Sequence, residues 1–504
     1  MKRFSGRTLC LLLALLTMLP ACSSSPDRTE DSPGSEDGAP QENAPAQEDA
    51  APETEPADPA DFVPEGVRYD GLTVRVLTGC PFNKNEPNEI APFGDDYAPG
   101  EIIPESVVRR NDLLYEKLGV TLEAHLSSGE PGSGSEYLKD LSASVAAGAN
   151  DYDAVCGVVE TAYKCAVQGL LVNLNAVESL DLSHPWWSQK SRKSFDFGAD
   201  NTIIYFMDGD INFFDNWGTE CIYANRDFLN DSGYAMPYDI VREGGWTFDL
   251  FRSIAAGLYR DLDGDGVKSF GDAYGIVSNT AIMERFLPAM DAHLLIKDEE
   301  GRYVVNETEE FVTLAGTLFD LCQHDQSVWL DGGEYAGIFQ TGNAAFSEDY
   351  LYFLRSASGF MEDDYGVLPY PKRDESQPDY SCTVNESYAT VYGISLTAER
   401  ETVGLVLDTA GAYSPATMTE AVIENGAMIR NARDEDTAGM LRIILDTSAY
   451  SFASLTNWGN IHYLFNGLLH DGRDLNYASE IKKVKKVVEK AADKDLPALR
   501  DPKG

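Results

Sequence analysis

Short β-branched runs alternate with helical periodicity along this chain, and that alternation restricts its folded part to α/β architectures. Residues 73–77 (TVRVL) form a predicted buried strand closed by Thr78 and Gly79. Residues 104–118 then place Val107, Leu113, Leu114 and Leu118 on one side of a helix that Gly119 stops. A strand over 120–126, a helix over 135–147, a strand over 152–159 and a helix over 160–169 follow. Strands separated by helices imply right-handed crossovers and a mostly parallel sheet covered on both faces. A further strand is expected at 203–206, then an aromatic passage through Phe213, Phe214 and Trp217, and a strand at 220–225. Beyond it the pattern is helix-rich, with Thr247 placed to cap a helix over 247–259.

More than four hundred residues lie beyond residue 66, which is too long for one small core and suits two lobes. No second apolar run approaches the roughly 18 residues that a spanning helix needs. The cysteines at 80, 156, 165, 221, 322 and 382 show no C-x-x-C spacing, so neither zinc nor a thioredoxin-like centre is suggested. Disulfides and buried free thiols both remain open for them.

The first residues carry Lys2, Arg3 and Arg7, then an apolar run, then Leu19, Pro20, Ala21 and Cys22. These are the parts of a secretory signal, expected to cover 1–22. With cysteine at the processing point it resembles a bacterial lipoprotein signal, in which Cys22 carries the lipid. An ordinary secretory signal with an incidental cysteine is the alternative. Residues 23–66 are mostly Pro, Ala, Ser, Gly, Asp and Glu, a composition that cannot offset its ordering entropy. A disordered tether is expected, with a reach of roughly 40 Å or more. The lipid would be the only membrane contact, holding the protein on the extracellular face. A formal charge of −44 excludes nucleic acid as a partner.

The segment YDAVCGVVETAYKCAVQGLLVNL, the later NTIIYF, CIYANRDFL and GGWTFDLF, and the 339–371 stretch followed by YGIS resemble the extracellular solute-binding proteins of carbohydrate ABC importers, maltose-binding-protein-like receptors included. The resemblance runs from about residue 70 to the end. It implies a type II two-lobed α/β fold with mixed sheets flanked by helices, a hinge between lobes and ligand in the cleft. Lobe 1 is expected at 67–218 and 384–412, lobe 2 at 219–383 and 413–504. It also implies a monomer that hands its ligand to a permease.

Glu160 and Thr161 follow the carboxyl end of the third strand, where open α/β sheets place ligands, although Glu near a helix start is favourable with no ligand. Sugars pair apolar C–H faces with hydroxyl edges, so a cleft for them combines aromatic platforms with carboxylates. Asp215 and Trp217, Asp349 and Tyr350, and Trp458 are the candidates, with core packing as the ordinary fate of any one aromatic. Ser387 and Tyr388, beside Asn385 and Glu386, approach the second crossing and could line the hinge, where a functional role and ordinary structure read alike. Trp186 and Trp187 follow Pro185 in a surface-like stretch, and 481–492 reads as a basic amphipathic helix with Val484, Val487 and Val488 inward.

The motif DLDGDGVKSFGD has the spacing of a Ca²⁺ loop. Asp261, Asp263, Asp265 and Asp272 stand at positions one, three, five and twelve, Ser269 at nine, and Gly266 at the tight turn; Val267 would contribute its carbonyl. A solvated acidic turn is the alternative, and a dockerin module is disfavoured because a second copy is missing. A structural Ca²⁺ is therefore expected. No G-x-S-x-G elbow, H-E-x-x-H, P-loop or glycine-rich dinucleotide turn occurs. The expected function is capture of a sugar without chemistry; a glycosidase, which needs only two carboxylates, and a surface adhesin are the rivals.

Overall fold

The computed structural model describes residues 58–79, 88–91, 102–127, 134–198, 202–331, 333–353, 361–422 and 435–501. Cys22, Cys80 and residues 23–57 of the expected tether lie outside them. In chain order the principal strands are β1 (Leu72–Thr78), β2 (Val120–Leu126), β3 (Ala154–Val158), β4 (Glu220–Asn225), β5 (Tyr274–Asn279), β6 (Val328–Asp331), β7 (Ala344–Tyr350), β8 (Tyr365–Leu368) and β9 (Thr390–Ile394).

One sheet has the order β9-β3-β1-β2, with β1 parallel to β2 and β3, and β9 antiparallel to β3. Parallel neighbours need a long crossover, and helix Ile102–Leu118 supplies it between β1 and β2. Gly119, at φ 69°, reverses the chain from that helix into β2. The other sheet has the order β8-β4-β7-β5-β6, antiparallel about β4 and parallel about β5.

Each sheet carries its own hydrophobic core. Val74, Val76, Leu114, Leu141 and Val155 form the first, joined from far along the chain by Val391, Ile394 and Val406. Ile222, Val277, Phe286, Phe346 and Leu368 form the second, joined by Met440, Leu441 and Phe465. The chain therefore passes from the first core to the second before β4, returns before β9, and leaves again after helix Arg400–Tyr413. Two of these passages are tied together. Thr219 bridges Val384, and the Asn385 amide donates to the Gly218 carbonyl at 3.0 Å. This is the two-lobed α/β fold with mixed sheets that the sequence implies.

Several local expectations are corrected. The folded chain begins by residue 58, before the expected end of the tether: Ala60 and Val63 are buried in the first core, and Asp58 pairs with Lys117 at 2.7 Å. Phe62 adds ring contacts with His184 at 4.9 Å and Trp186 at 5.5 Å, and the Tyr413 hydroxyl donates to Asp58 at 3.1 Å. Residues 203–206 make no regular strand; Met207 forms an isolated bridge to Tyr392. Helix Phe248–Ala256 starts after Thr247, whose side chain makes no capping bond. Trp186 and Trp187 are core residues, because the buried Asp408 accepts both indole N–H groups at 2.7 and 2.9 Å. In the final helix, Tyr477–Arg500, Val488 points inward but Val487 is exposed. At their helical spacing only one of the two can face the core. Residues Tyr450, Leu455 and Leu499, expected in lobe 2, pack into the first core. Among the described residues no helix is long and apolar enough to cross a membrane.

Candidate functional site: the cleft at the interlobe crossing

A cleft of about 220 Å³ opens where residues 383–388 cross between the cores. Its walls come from Glu220 at the start of β4, Glu284 and Arg285 on helix Ile282–Ala289, Tyr350 at the end of β7, and His462 and Tyr463 from the turn Trp458–Tyr463. The crossing segment itself adds Asn385, Glu386, Ser387 and Tyr388.

Arg285 organises the second-lobe wall. Its Nε donates to Glu220 Oε1 at 2.9 Å, and its Nη1 donates to Asn279 Oδ1 at 3.0 Å and to Glu348. Glu348 also accepts from Ser278 Oγ at 2.5 Å and from the Tyr370 hydroxyl. Burial works against the Arg285 charge, but Glu348 and Glu220 outweigh it and keep the guanidinium protonated. Its Nε and Nη1 are committed to these neighbours, while Nη2 reaches the Tyr350 hydroxyl at 3.5 Å. Glu284 Oε1 accepts from the Asn466 amide at 2.8 Å.

The remaining carboxyls feel burial more than company. Burial pushes Glu284 up to about 8 and Glu386 up to about 7, whereas Glu220 is held in its ion pair with Arg285. Burial also lowers His462 to about 4, so its ring is neutral near pH 7 although Glu386 Oε1 lies 3.7 Å from Nε2. Tyr350 and Tyr388 meet edge to face at 5.2 Å, and Asn385 Nδ2 donates to the Tyr350 hydroxyl at 3.1 Å. The cleft thus offers carboxyl oxygens, an amide and phenol rings in one place, the mixture that sugar hydroxyls and C–H faces require.

Of the candidates read from sequence, Tyr350 lies in this cleft, as do Ser387 and Tyr388 with their neighbours Asn385 and Glu386. Glu160 stands beside it: its amide donates to the Glu386 carbonyl at 3.3 Å, while its carboxylate accepts from Lys164 at 2.5 Å. Thr161 is buried within helix Val159–Val167. Trp217 is packed against Phe213 at 4.7 Å and Phe214 at 5.4 Å, a core position and not an open platform. Trp458 is likewise core: its indole N–H is shared between the Tyr163 hydroxyl and Asp495 Oδ2, both at 3.0 Å. Asp349 accepts from the Tyr335 hydroxyl at 2.9 Å, and burial pushes it up to about 6. Asp215 falls in a separate gap of about 380 Å³ beside Lys190, Asp210 and Asp446, where burial raises it well above the usual range.

Glu220, Glu284, Arg285, His462 and Tyr463 escaped sequence reading. Glu284 and Arg285 sit in IMERFLPA, which reads as an ordinary core helix. A charged pair inside an otherwise apolar helix face was the available signal.

In the acidic loop, carboxylate oxygens of Asp261, Asp263 and Asp265 lie within 4.8 Å of one another. Asp261 accepts from the amides of Gly264 at 2.7 Å and Gly266 at 2.8 Å, both glycines in the left-handed region. Asp272 is buried and accepts from the amides of Leu262 and Ser269 at 3.0 and 2.8 Å, so here it staples the loop's two ends. The cysteines at 156, 165, 221, 322 and 382 are free and buried.

No protein-family model matches this sequence, and no curated protein is significantly similar to it. Solved structures do match the fold. The sugar-binding protein MalE from Xanthomonas citri superposes with a TM-score of 0.55 at 13% identity, covering 84% of this chain and 98% of its own. The cyclic α-maltosyl-1,6-maltose binding protein from Arthrobacter globiformis gives 0.54 at 12% identity, covering 84% and 99%. A cyclo/maltodextrin-binding protein complexed with maltotetraose gives 0.50 at 12% identity, covering 85% and 96%. The fold is the one these sugar-binding receptors share, in agreement with the resemblance seen in the sequence.

Proposed function

We propose that this protein is a lipid-anchored extracellular solute-binding protein that captures a sugar or oligosaccharide in the interlobe cleft and passes it to an ABC importer permease. The observation that carries the reading is the cleft itself, a polar, tyrosine-bearing gap at the crossing between two separately packed cores. Tyr350 and Tyr388 would take the apolar faces of the sugar, and Asn385, Glu284 and Glu386 its hydroxyls. Domain closure about residues 218–219 and 384–385 would then bury both sets around the ligand. Cys22 would carry the lipid, residues 23–57 would give the domain reach from the membrane, and the protein would work as a monomer. The loop at 261–272 would hold a structural Ca²⁺ through Asp261, Asp263, Asp265 and the Val267 carbonyl, with Ser269 and Asp272 closing the loop.

A thermal-shift screen against glucose, xylose and mannose oligomers, followed by calorimetry, tests this reading: a saturable stoichiometric complex with unaltered sugar supports it. One observation favours a second reading. Carboxyls lifted to about 7 and 8 at Glu386 and Glu284 could donate protons near neutrality, as a glycosidase acid must. Oligosaccharide cleavage by the purified protein, lost in Glu284→Gln, would establish that reading in place of capture.

A further inference from the structure

The two cores are tied together again by residues outside the crossing at 218–219 and 384–385. The final helix, Tyr477–Arg500, buries Ile481, Val488 and Leu496 in the second core and Leu499 in the first. A single helix is thus anchored in both lobes. The first lobe holds its last turn through two hydrogen bonds: the Tyr205 hydroxyl donates to the Leu499 carbonyl at 2.6 Å, and Arg500 Nε donates to the Phe197 carbonyl at 3.0 Å. One turn earlier, Asp495 accepts at 3.0 Å from both the Tyr163 hydroxyl of the first core and the Trp458 indole of the second, a three-residue knot between the lobes. Both donors of this knot lead to the cleft. Tyr163 lies one turn along the helix whose Glu160 amide reaches the Glu386 carbonyl at the crossing. Trp458 opens the turn whose far end, His462 and Tyr463, lines the cleft. Parting the cleft walls about the crossing strains these contacts, and bringing the walls together restores them.

We infer that residues 495–500 are a latch that holds the lobes together and so raises the share of ligand-free protein already competent to bind. The inference rests on the capture reading and adds to it what sets the closing equilibrium. A ligand that binds only the closed arrangement has an apparent affinity scaled by the fraction of protein in that arrangement. Loosening the latch lowers that fraction and weakens binding with every ligand contact intact, because Tyr205, Asp495 and Leu499 are not among the residues that line the cleft.

The experiment combines small-angle scattering of the ligand-free protein with calorimetry against maltotetraose, for the wild type, Leu499→Ala and Tyr205→Phe. Leu499→Ala is expected to enlarge the ligand-free radius of gyration and to weaken maltotetraose binding at least about fivefold, the scale of one lost hydrogen bond. Tyr205→Phe removes one hydrogen bond and keeps its ring in the core, so it should move both readouts the same way by less, and it decides the question if Leu499→Ala fails to fold. Circular dichroism should match the wild type in both variants, so that a larger radius reports separation of the lobes and not unfolding. A ligand-free radius unchanged in both variants overturns the latch and leaves sugar capture standing. A larger radius with undiminished affinity overturns its role in binding. A larger radius with no maltotetraose binding to any form supports the latch and counts against the sugar reading.

Discussion

The indole N–H of Trp458 donates to the hydroxyl oxygen of Tyr163 at 3.0 Å and thereby joins the second core to the helix that follows β3. Asp495, on the C-terminal helix, accepts from both groups at 3.0 Å. Removing the carboxylate strands the Tyr163 hydroxyl as a donor, while the Trp458 N–H keeps only the Tyr163 oxygen as its acceptor. Asp495→Ala is therefore expected to cost about 1–3 kcal/mol. The melting temperature should fall accordingly, with a smaller loss for Tyr163→Phe. An unchanged melting temperature in Asp495→Ala would show that the knot contributes nothing.

Tyr350 is the residue proposed from sequence as a sugar platform that the fold delivers to the cleft, beside Asn385, Glu386, Ser387 and Tyr388 of the crossing. Removing its ring should weaken sugar binding by up to about tenfold, the scale of one aromatic contact. Tyr350→Phe keeps the ring and loses only the hydroxyl that Asn385 reaches, so its effect should be smaller. Calorimetric affinities of the two variants give the comparison. Equal losses would mean that the hydroxyl, and not the ring, does the binding.

Burial sets the pH response of the cleft. Glu284 titrates near 8 in the folded protein and in the ordinary Glu range when unfolded, so between those values the folded state holds the extra proton. Stability must then decline as pH rises from about 4.5 to about 8, and is greatest below that window. Melting curves across pH 5 to pH 8 should show that slope, and Glu284→Gln should flatten it. A stability that rises with pH over this range, attributable to Glu284 by the variant, would contradict the assignment.

Calcium binding at the acidic loop should raise the melting temperature with added Ca²⁺ and lower it with EDTA, following mass action. Asp261→Asn should abolish the shift, because Asp261 accepts from two backbone amides and belongs to the carboxylate triad. A shift that persists in this variant would place the ion elsewhere.

Cys22→Ala is expected to release the protein from the membrane fraction of a host that processes bacterial lipoproteins. Retention of the variant on membranes would remove the anchor from the account.

How far the sequence carried the fold depends on which forces wrote it. Local periodicity located β1, β2, β3, β4 and the helices between the first three, since each buries one face or lies wholly inside. Gly119 marked a helix end correctly, and it adopts positive φ. The aromatic candidates fared less well. Trp217 and Trp458 have the same composition signal whether they line a gap or fill a core, and only tertiary packing distinguishes the two. Asp408 shows the same blindness from the other side: it turns Trp186 and Trp187 inward from more than two hundred residues away. The cleft's charged wall was hidden because Glu220, Arg285 and Glu348 lie on three separate elements and meet only after the second sheet has formed.

Small-angle X-ray scattering with and without a saturating oligosaccharide addresses the central claim most directly. Capture between closing lobes predicts a smaller radius of gyration in the complex and an unaltered sugar recovered afterwards. An unchanged radius at full occupancy, or recovery of shortened sugar, would contradict it.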